Sequence, residues 1–286
     1  MRIDASEIKE FRTCKRKWSY SSRNKMHLTT IETPPALFFG THFHECLHMM
    51  YKGTELSDIF LYIDKQIEDI QQNRILKNMI GKYYQIALAD LDQYDILVIE
   101  HGWSYPFTGN ITVCGSIDMI ALDKQTGLIY GFEHKSGKNF KDGVDLMLDE
   151  QTRMYSRAMN LFVMLYNLQN DTQYKFGGIY LNEIRKLVKQ FDHRRTLLNH
   201  TKEDLERFFN GIEKTAKRIV ECSESENTPD PEPSFMKCRM CQFAPVCETY
   251  GYIAPTTSEI LTKLPDQFKV RDIDHLDEKS KQYGEE

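Results

Sequence analysis

The chain has 286 residues, 41% of them hydrophobic and 12% aromatic, with a net charge of −5. That is enough apolar material for a sizeable core, which excludes a wholly disordered chain. The acidic balance excludes a uniformly basic nucleic-acid binder, though not a local basic patch.

The N-terminal "MRIDASEIKEF" has no apolar h-region, and no run of 18 apolar residues follows. Neither a signal peptide nor a transmembrane helix is therefore expected, and the expected location is the cytosol. In that reducing compartment the seven cysteines are not a disulfide framework. "DASEIKEFRTCKRKWSY" predicts one helix capped by Ser6, with Ile8, Phe11, Cys14 or Lys15, and Trp18 at helical spacing. Arg12, Lys15, Arg16 and Lys17, with Arg23 and Lys25 nearby, form a basic stretch. It reads equally as a solvated helix face or as phosphate contacts.

"IETPPALFFG" predicts a loop broken by Pro34 and Pro35, and a helix starting near Gly40 carries His44 and His48. Residues 54–95 predict a helical insertion, apolar through Ile59, Ile63, Ile67 and Ile70 and polar on its other face. From about residue 96 the chain turns to short β-branched runs, "ILVIE", "ITVCGSIDMIALD" and "LIYGFEHKSG". "DEQTRMYSRAMNLFVMLYN" predicts a helix and "KFGGIYLNEI" a strand. "TKEDLERFFNGIEKTAKRIVEC" predicts an amphipathic helix capped by Thr201, and "SESENTPDPEPSF" a polar, proline-rich loop. A polar tail is expected over 251–286. No repeat or internal boundary is visible, so 1–250 reads as a single domain.

Chemistry concentrates in "GSIDMIALDKQTGLIYGFEHKSG". If Lys124 to Gly127 form a four-residue loop, Asp118 falls opposite Glu133, with Cβ atoms roughly 4.5–5.5 Å apart. Lys135, two residues on, shares Glu133's sheet face. Adjacent carboxylates repel unless a cation or proton lies between them. Carboxylate and water oxygens suit Mg²⁺ or Mn²⁺. Gln151 and Tyr155 then share one helical face. Near the C-terminus, Cys238-x2-Cys241-x5-Cys247 supplies three thiolates, one short of a four-coordinate site. The spacing does not separate iron–sulfur from zinc.

Taken in order, His44, Asp118, Glu133-His134-Lys135 and Gln151-x-x-x-Tyr155 resemble the PD-(D/E)XK nuclease superfamily. More narrowly they resemble its RecB-type exonuclease branch, which includes the RecB and AddB nuclease domains and the CRISPR-associated adaptation exonucleases. "GTHFHECLHMM" looks like that family's G-x-x-x-H helix, "GSIDMI" its G-x-I-D strand and "FEHKSGK" its (D/E)-x-K-(T/S)-G strand. The resemblance implies an α/β, restriction-endonuclease-like core, a mixed central sheet flanked by helices, with 54–95 as a helical insertion. It implies a DNA exonuclease acting in recombination, repair, phage DNA processing or CRISPR adaptation, alongside recombination or replication proteins. The substrate would be single-stranded DNA or a resected duplex.

By the same resemblance, His44, Asp118, Glu133 and the His134 backbone carbonyl would ligate the Mg²⁺ or Mn²⁺ ion. Lys135 would position the water nucleophile, and Gln151 and Tyr155 would support the phosphate. His134 departs from the family, which usually has an apolar residue there. A subset of this branch carries a [4Fe–4S] cluster on one N-terminal and three C-terminal cysteines. "FRTCKRKWSY" looks like its N-terminal segment, which picks out Cys14 with Cys238, Cys241 and Cys247. Cys46, Cys114 and Cys222 remain ordinary thiols. The basic stretch would sit beside the cluster, and on its phosphate-contact reading Arg12, Lys15, Arg16 and Lys17 bind DNA.

Two other readings compete. His44-Glu45-Cys46-Leu47-His48 is literally H-E-x-x-H, a zinc-protease signature. Its extended form needs Gly and His where Tyr51 and Thr54 stand, and it leaves the carboxylates, Lys135 and four cysteines unused. A catalytically dead nuclease fold serving as a DNA-binding scaffold would usually lack a metal ligand or the lysine, and all are present. His44→Ala is expected to abolish DNA cleavage and His48→Ala only to weaken it. Equal loss in both, measured on end-labelled DNA, would return weight to the H-E-x-x-H reading.

Overall fold

The computed structural model describes residues 1–187 and 190–271. In chain order its elements are β1 (Arg2–Ile3), α1 (Ala5–Thr13), α2 (Lys15–Ser21), β2 (Leu28–Thr30), α3 (Pro35–Tyr51), α4 (Leu56–Gln66) and α5 (Ile70–Gln93). Then come β3 (Tyr94–Thr108), β4 (Ile111–Asp123), β5 (Leu128–Gly137), α6 (Gly143–Met147), α7 (Glu150–Asn170), β6 (Lys175–Arg185) and β7 (His193–Leu198). The remainder is α8 (Lys202–Glu224), α9 (Phe235–Arg239), α10 (Ala244–Tyr250), α11 (Thr257–Lys263) and β8 (Phe268–Val270).

Where the sequence predicts one domain, the chain divides into two compact units. One comprises Met1–Pro34, Ser104–Gly115 and the chain from Glu203, and the other Pro35–Trp103 and Ser116–Lys202. The division is invisible in composition because two of its boundaries fall inside strands β3 and β4 rather than in polar linkers.

The second unit is a mixed sheet between helices. Its strand order is β4-β5-β6-β7, with β3 pairing β4. β4 and β5 are antiparallel, from Met119↔Phe132 to Leu122↔Ile129, which is the predicted hairpin register. The turn between them is built by Asp123, whose carboxylate accepts the backbone N–H groups of Gln125 and Thr126 at 2.9 and 2.8 Å. Gly127 closes the turn at φ +68°, a left-handed conformation that costs glycine nothing. β5 and β6 are parallel, with the helical crossover that parallel pairing requires between them.

α3, α4 and α5 bury Phe43, Leu47, Ile59, Ile63, Ile80 and Tyr83 against Met119, Ala121 and Phe132 on one sheet face. α7 buries Tyr155, Met159 and Val163 against Ile120, Ile129 and Ile179 on the other. The predicted insertion over 54–95 is α4 and α5, and it packs into the main core. α3 begins at Pro35 instead of near Gly40, because proline at the first helical position has no N–H left unsatisfied.

In the first unit, the predicted N-terminal helix is two. Cys14 is extended (φ −163°, ψ 114°) between α1 and α2, and Asp4, not Ser6, caps α1 by accepting from Glu7 N at 2.8 Å. The predicted tail differs too. Up to Arg271 it carries α11, with a capping box between Thr256 and Glu259, and β8, antiparallel to β2. Residues 272–286 lie outside the described residues.

Arg16 is the anchor of this region. It is fully buried and donates to the carbonyls of Pro229 (2.7 Å), Gly251 (3.1 Å), Tyr252 (3.1 Å) and Ile253 (3.0 Å). It is therefore not a phosphate contact, because its donors are spent on backbone. Arg12 donates to Thr215 Oγ1 at 3.0 Å, Lys15 pairs with Glu232 at 3.4 Å and Lys17 with Glu10 at 2.8 Å. Arg16→Met should lower the free energy of unfolding by about 3 kcal/mol in urea titration, since it strands buried carbonyls. A loss under about 0.5 kcal/mol would mean those carbonyls find other donors.

Candidate active site

The predicted catalytic residues all lie in the second unit, and the sheet assembles them. The β4–β5 ladder ends at Met119↔Phe132. One residue beyond, the Asp118 carboxylate turns to the β5 backbone and accepts the His134 N–H at 2.7 Å. Its other oxygen faces His44 Nδ1, on α3, at 3.3 Å. Glu133 is buried and forms an ion pair with Lys135, the next residue on the same sheet face. Glu133 Oε2 is buried with no hydrogen-bond partner.

The electrostatics follow from this crowding. Burial pushes the Glu133 carboxyl up, and the Asp118 charge pushes it further, to about 7 against the pull of Lys135. Burial would raise Asp118 as well, but His44, by charge and hydrogen bond, holds it well below the usual carboxylate range. Burial lowers Lys135, yet Glu133 and Asp118 more than reverse this, so its ammonium stays charged. His44 is raised in the same way, Asp118 outweighing burial.

On α7, Gln151 Nε2 donates to the Tyr155 hydroxyl at 2.5 Å, which matches the predicted i, i+4 pair. Asp149 caps that helix by accepting from Thr152 N at 2.8 Å and pairs with Lys141.

His134, whose side chain the sequence assigns to the opposite face of β5, packs there. Its ring centroid lies 5.7 Å from that of Tyr51 and 6.2 Å from that of Tyr83. Burial lowers its pKa to about 4, so the imidazole is neutral. Behind it lies a polar network that sequence reasoning missed. Asp90 on α5 binds the Arg195 guanidinium at 2.6 and 2.7 Å and accepts from Tyr51 at 2.7 Å. Two signals pointed to it. Asp90 follows Tyr83 and Ala87 on the buried stripe of α5, and Asn182 directly follows the apolar run Ile179-Tyr180-Leu181 on β6.

Among the described residues, no three His, Cys, Asp or Glu side chains stand close enough to hold a metal ion as they are placed. The donor set at Asp118 and Glu133 nevertheless suits a hard divalent cation. Two neighbouring carboxylates, Glu133 buried and Asp118 partly so, include one unsatisfied oxygen, and the cations that balance them are the protein's own His44 and Lys135.

The four predicted cluster cysteines lie in the first unit. Cys241 and Cys247 are half-buried. Burial pushes both thiols up, and Cys14 and Cys238 stand near enough to add to the effect, while Lys17 offsets it at Cys241 and Arg16 at Cys247. Cys46 and Cys114 are buried thiols, raised by burial to about 12 and about 11.

The sequence model for the PD-(D/E)XK nuclease superfamily matches residues 2–248. The fold is similar to the crystal structure of a provisionally named exonuclease from Eubacterium rectale. The two share 11% identity over 92% of each chain, with a TM-score of 0.53. The structure of SSO0001 aligns over 86% of this chain and 85% of its own at 13% identity, with a TM-score of 0.41. No curated protein sequence matches the chain. Among the described residues, no helix is long and apolar enough to cross a membrane.

Glu133 gives this site a measurable pH signature. Its folded pKa, about 7, lies above its ordinary 4.5. The stability it contributes is therefore complete below about 4.5 and is lost as pH rises through about 7. In chelator, Glu133→Gln should be more stable than wild type at pH 8, with the difference closing toward pH 4.5. Parallel stability profiles by urea denaturation would refute the assignment.

Proposed function

Because the chain belongs to the PD-(D/E)XK nuclease superfamily, we propose that it is a Mg²⁺- or Mn²⁺-dependent DNA exonuclease of the RecB-like branch. The observation that carries this reading is the Asp118–Glu133–Lys135 constellation, in which Glu133 is buried with an unsatisfied carboxylate oxygen. The name of the Eubacterium rectale neighbour supports the exonuclease assignment.

In this reading Asp118, Glu133 and His44, with the His134 backbone carbonyl, would hold the divalent ion. That ion supplies Lewis-acid stabilisation of the phosphodiester and lowers the pKa of water. Lys135 keeps its proton beside two carboxylates, so it is not a base. It orients the attacking water and offsets the negative charge that develops on the phosphate. His44 and Lys135 balance the charge of the two carboxylates. The Gln151 amide and Tyr155 hydroxyl, already paired on α7, offer donors toward the phosphate.

Cys14, Cys238, Cys241 and Cys247 are proposed to ligate a [4Fe–4S] cluster. The electrostatic influence of Cys14 and Cys238 on the Cys241 and Cys247 thiols supports this, as do the flanking Lys17 and Arg16, since neighbouring cations favour thiolates. The cluster would join residue 14 to residues more than 220 positions away, a long loop whose closure contributes stability. The processes such an enzyme would serve are recombination, repair, phage DNA processing or CRISPR adaptation.

Purified protein with end-labelled single- and double-stranded DNA should cleave in Mn²⁺ and not in chelator. Lys135→Ala should be roughly 100- to 1,000-fold slower. Equal rates for mutant and wild type would refute the site. Anaerobically purified protein should be brown, and Cys241→Ala colourless. A colourless wild type containing zinc would replace iron–sulfur with a zinc site.

A further inference from the structure

The groups that the proposed reaction leaves unused lie behind β5. Arg195 grips Asp90 with both terminal nitrogens, at 2.6 and 2.7 Å, and its Nε donates to Asn182 Oδ1 at 2.6 Å. A guanidinium can only donate, so this bond identifies which end of the Asn182 amide is oxygen. The other end, Nδ2, donates to the Tyr83 hydroxyl at 3.1 Å and stands 3.2 Å from His134 Nδ1. An amide nitrogen also only donates, so His134 Nδ1 must accept. The single proton of a neutral imidazole then sits on Nε2.

His134 Nε2 is buried and has no hydrogen-bond partner. His134 lines a cavity of about 10 Å³ together with His44, His48, Tyr51 and Asp118. His48 Nδ1 is likewise buried without a partner. Leu47, Ile99 and Glu100 complete the lining, and the volume is at the lower limit of what one water needs.

We propose that Asn182, clamped by Arg195 and Asp90, is a positioning residue that locks His134 as the Nε2–H tautomer and so fixes the residue whose backbone N–H the Asp118 carboxylate accepts. With that tautomer Nδ1 accepts from Asn182 and the ring is held; with the other, two N–H groups would face each other and displace His134, and with it the backbone N–H that supports the charged Asp118. Partners of this kind behind a metal-binding group are typically worth 10–100-fold in metal affinity or activity. The effect on catalysis rests on the nuclease reading, whereas the tautomer does not.

Two-bond ¹H–¹⁵N spectra of histidine-labelled wild type, with the His134 signal identified by its loss in His134→Gln, read the ring directly. Nδ1 should be unprotonated and Nε2 protonated. Asn182→Asp puts an acceptor against Nδ1 and should reverse the pattern. Asn182→Asp and Asn182→Ala should each bind Mn²⁺, followed by electron paramagnetic resonance, about tenfold more weakly than wild type. A wild-type ring protonated on Nδ1 overturns the proposal whether or not the variants fold. So do two folded variants with wild-type Mn²⁺ affinity. The expected ring pattern in a protein that cleaves no DNA upholds the tautomer and removes the nuclease reading instead.

Discussion

The antiparallel pairing of β4 with β5 fixes everything around it. Side chains on a strand alternate between faces, so a slip of one residue would send Glu133 and Lys135 to the α3 side and His134 to the α7 side. The Asx turn at Asp123 and the left-handed Gly127 pin the register from one end. At the other end, Asp118 accepts the His134 N–H just past the last ladder pair. The same carboxylate that ends the ladder is a proposed metal ligand. Register and site chemistry are therefore a single constraint, met by one side chain.

Crowding charges onto that point has an electrostatic cost, and the fold distributes it unevenly. Asp118 keeps its charge because His44 and the backbone N–H support it. Glu133, deeper and beside a like charge, is driven toward neutrality. Two neighbouring carboxylates thus acquire different proton affinities from environment alone. Lys135 holds its proton for the mirror-image reason.

Much of this was legible in the chain. The turn residues between two β-branched runs gave the register, and the register gave the meeting of Asp118, Glu133 and Lys135. The i, i+4 spacing gave the Gln151–Tyr155 pair. Helix existence was clearer than helix ends: Pro35 started α3 early, and Cys14 broke the first helix by an extended backbone that periodicity does not encode. Arg16 misled, because a basic residue in a basic run reads as surface. Its burial depends on carbonyls at 229 and 251–253, far along the chain. The Asp90–Arg195 pair stayed hidden for a related reason: Asp90 sits on the buried stripe of its helix, but the partner that explains it lies 105 positions away and carries no local signature.

Asp90 also changes what kind of segment 54–95 is. Read from sequence, it is an accessory that a lineage could gain, lose or exchange. In the fold it carries the one acid in the network that neutralises Arg195, along with Tyr83, which shares Asn182's amide. A relative lacking this helical pair would need to lose the guanidinium as well. The two should therefore be inherited or discarded together, which makes residue 195 a marker, readable from sequence alone, of whether a homologue retains this helical layer.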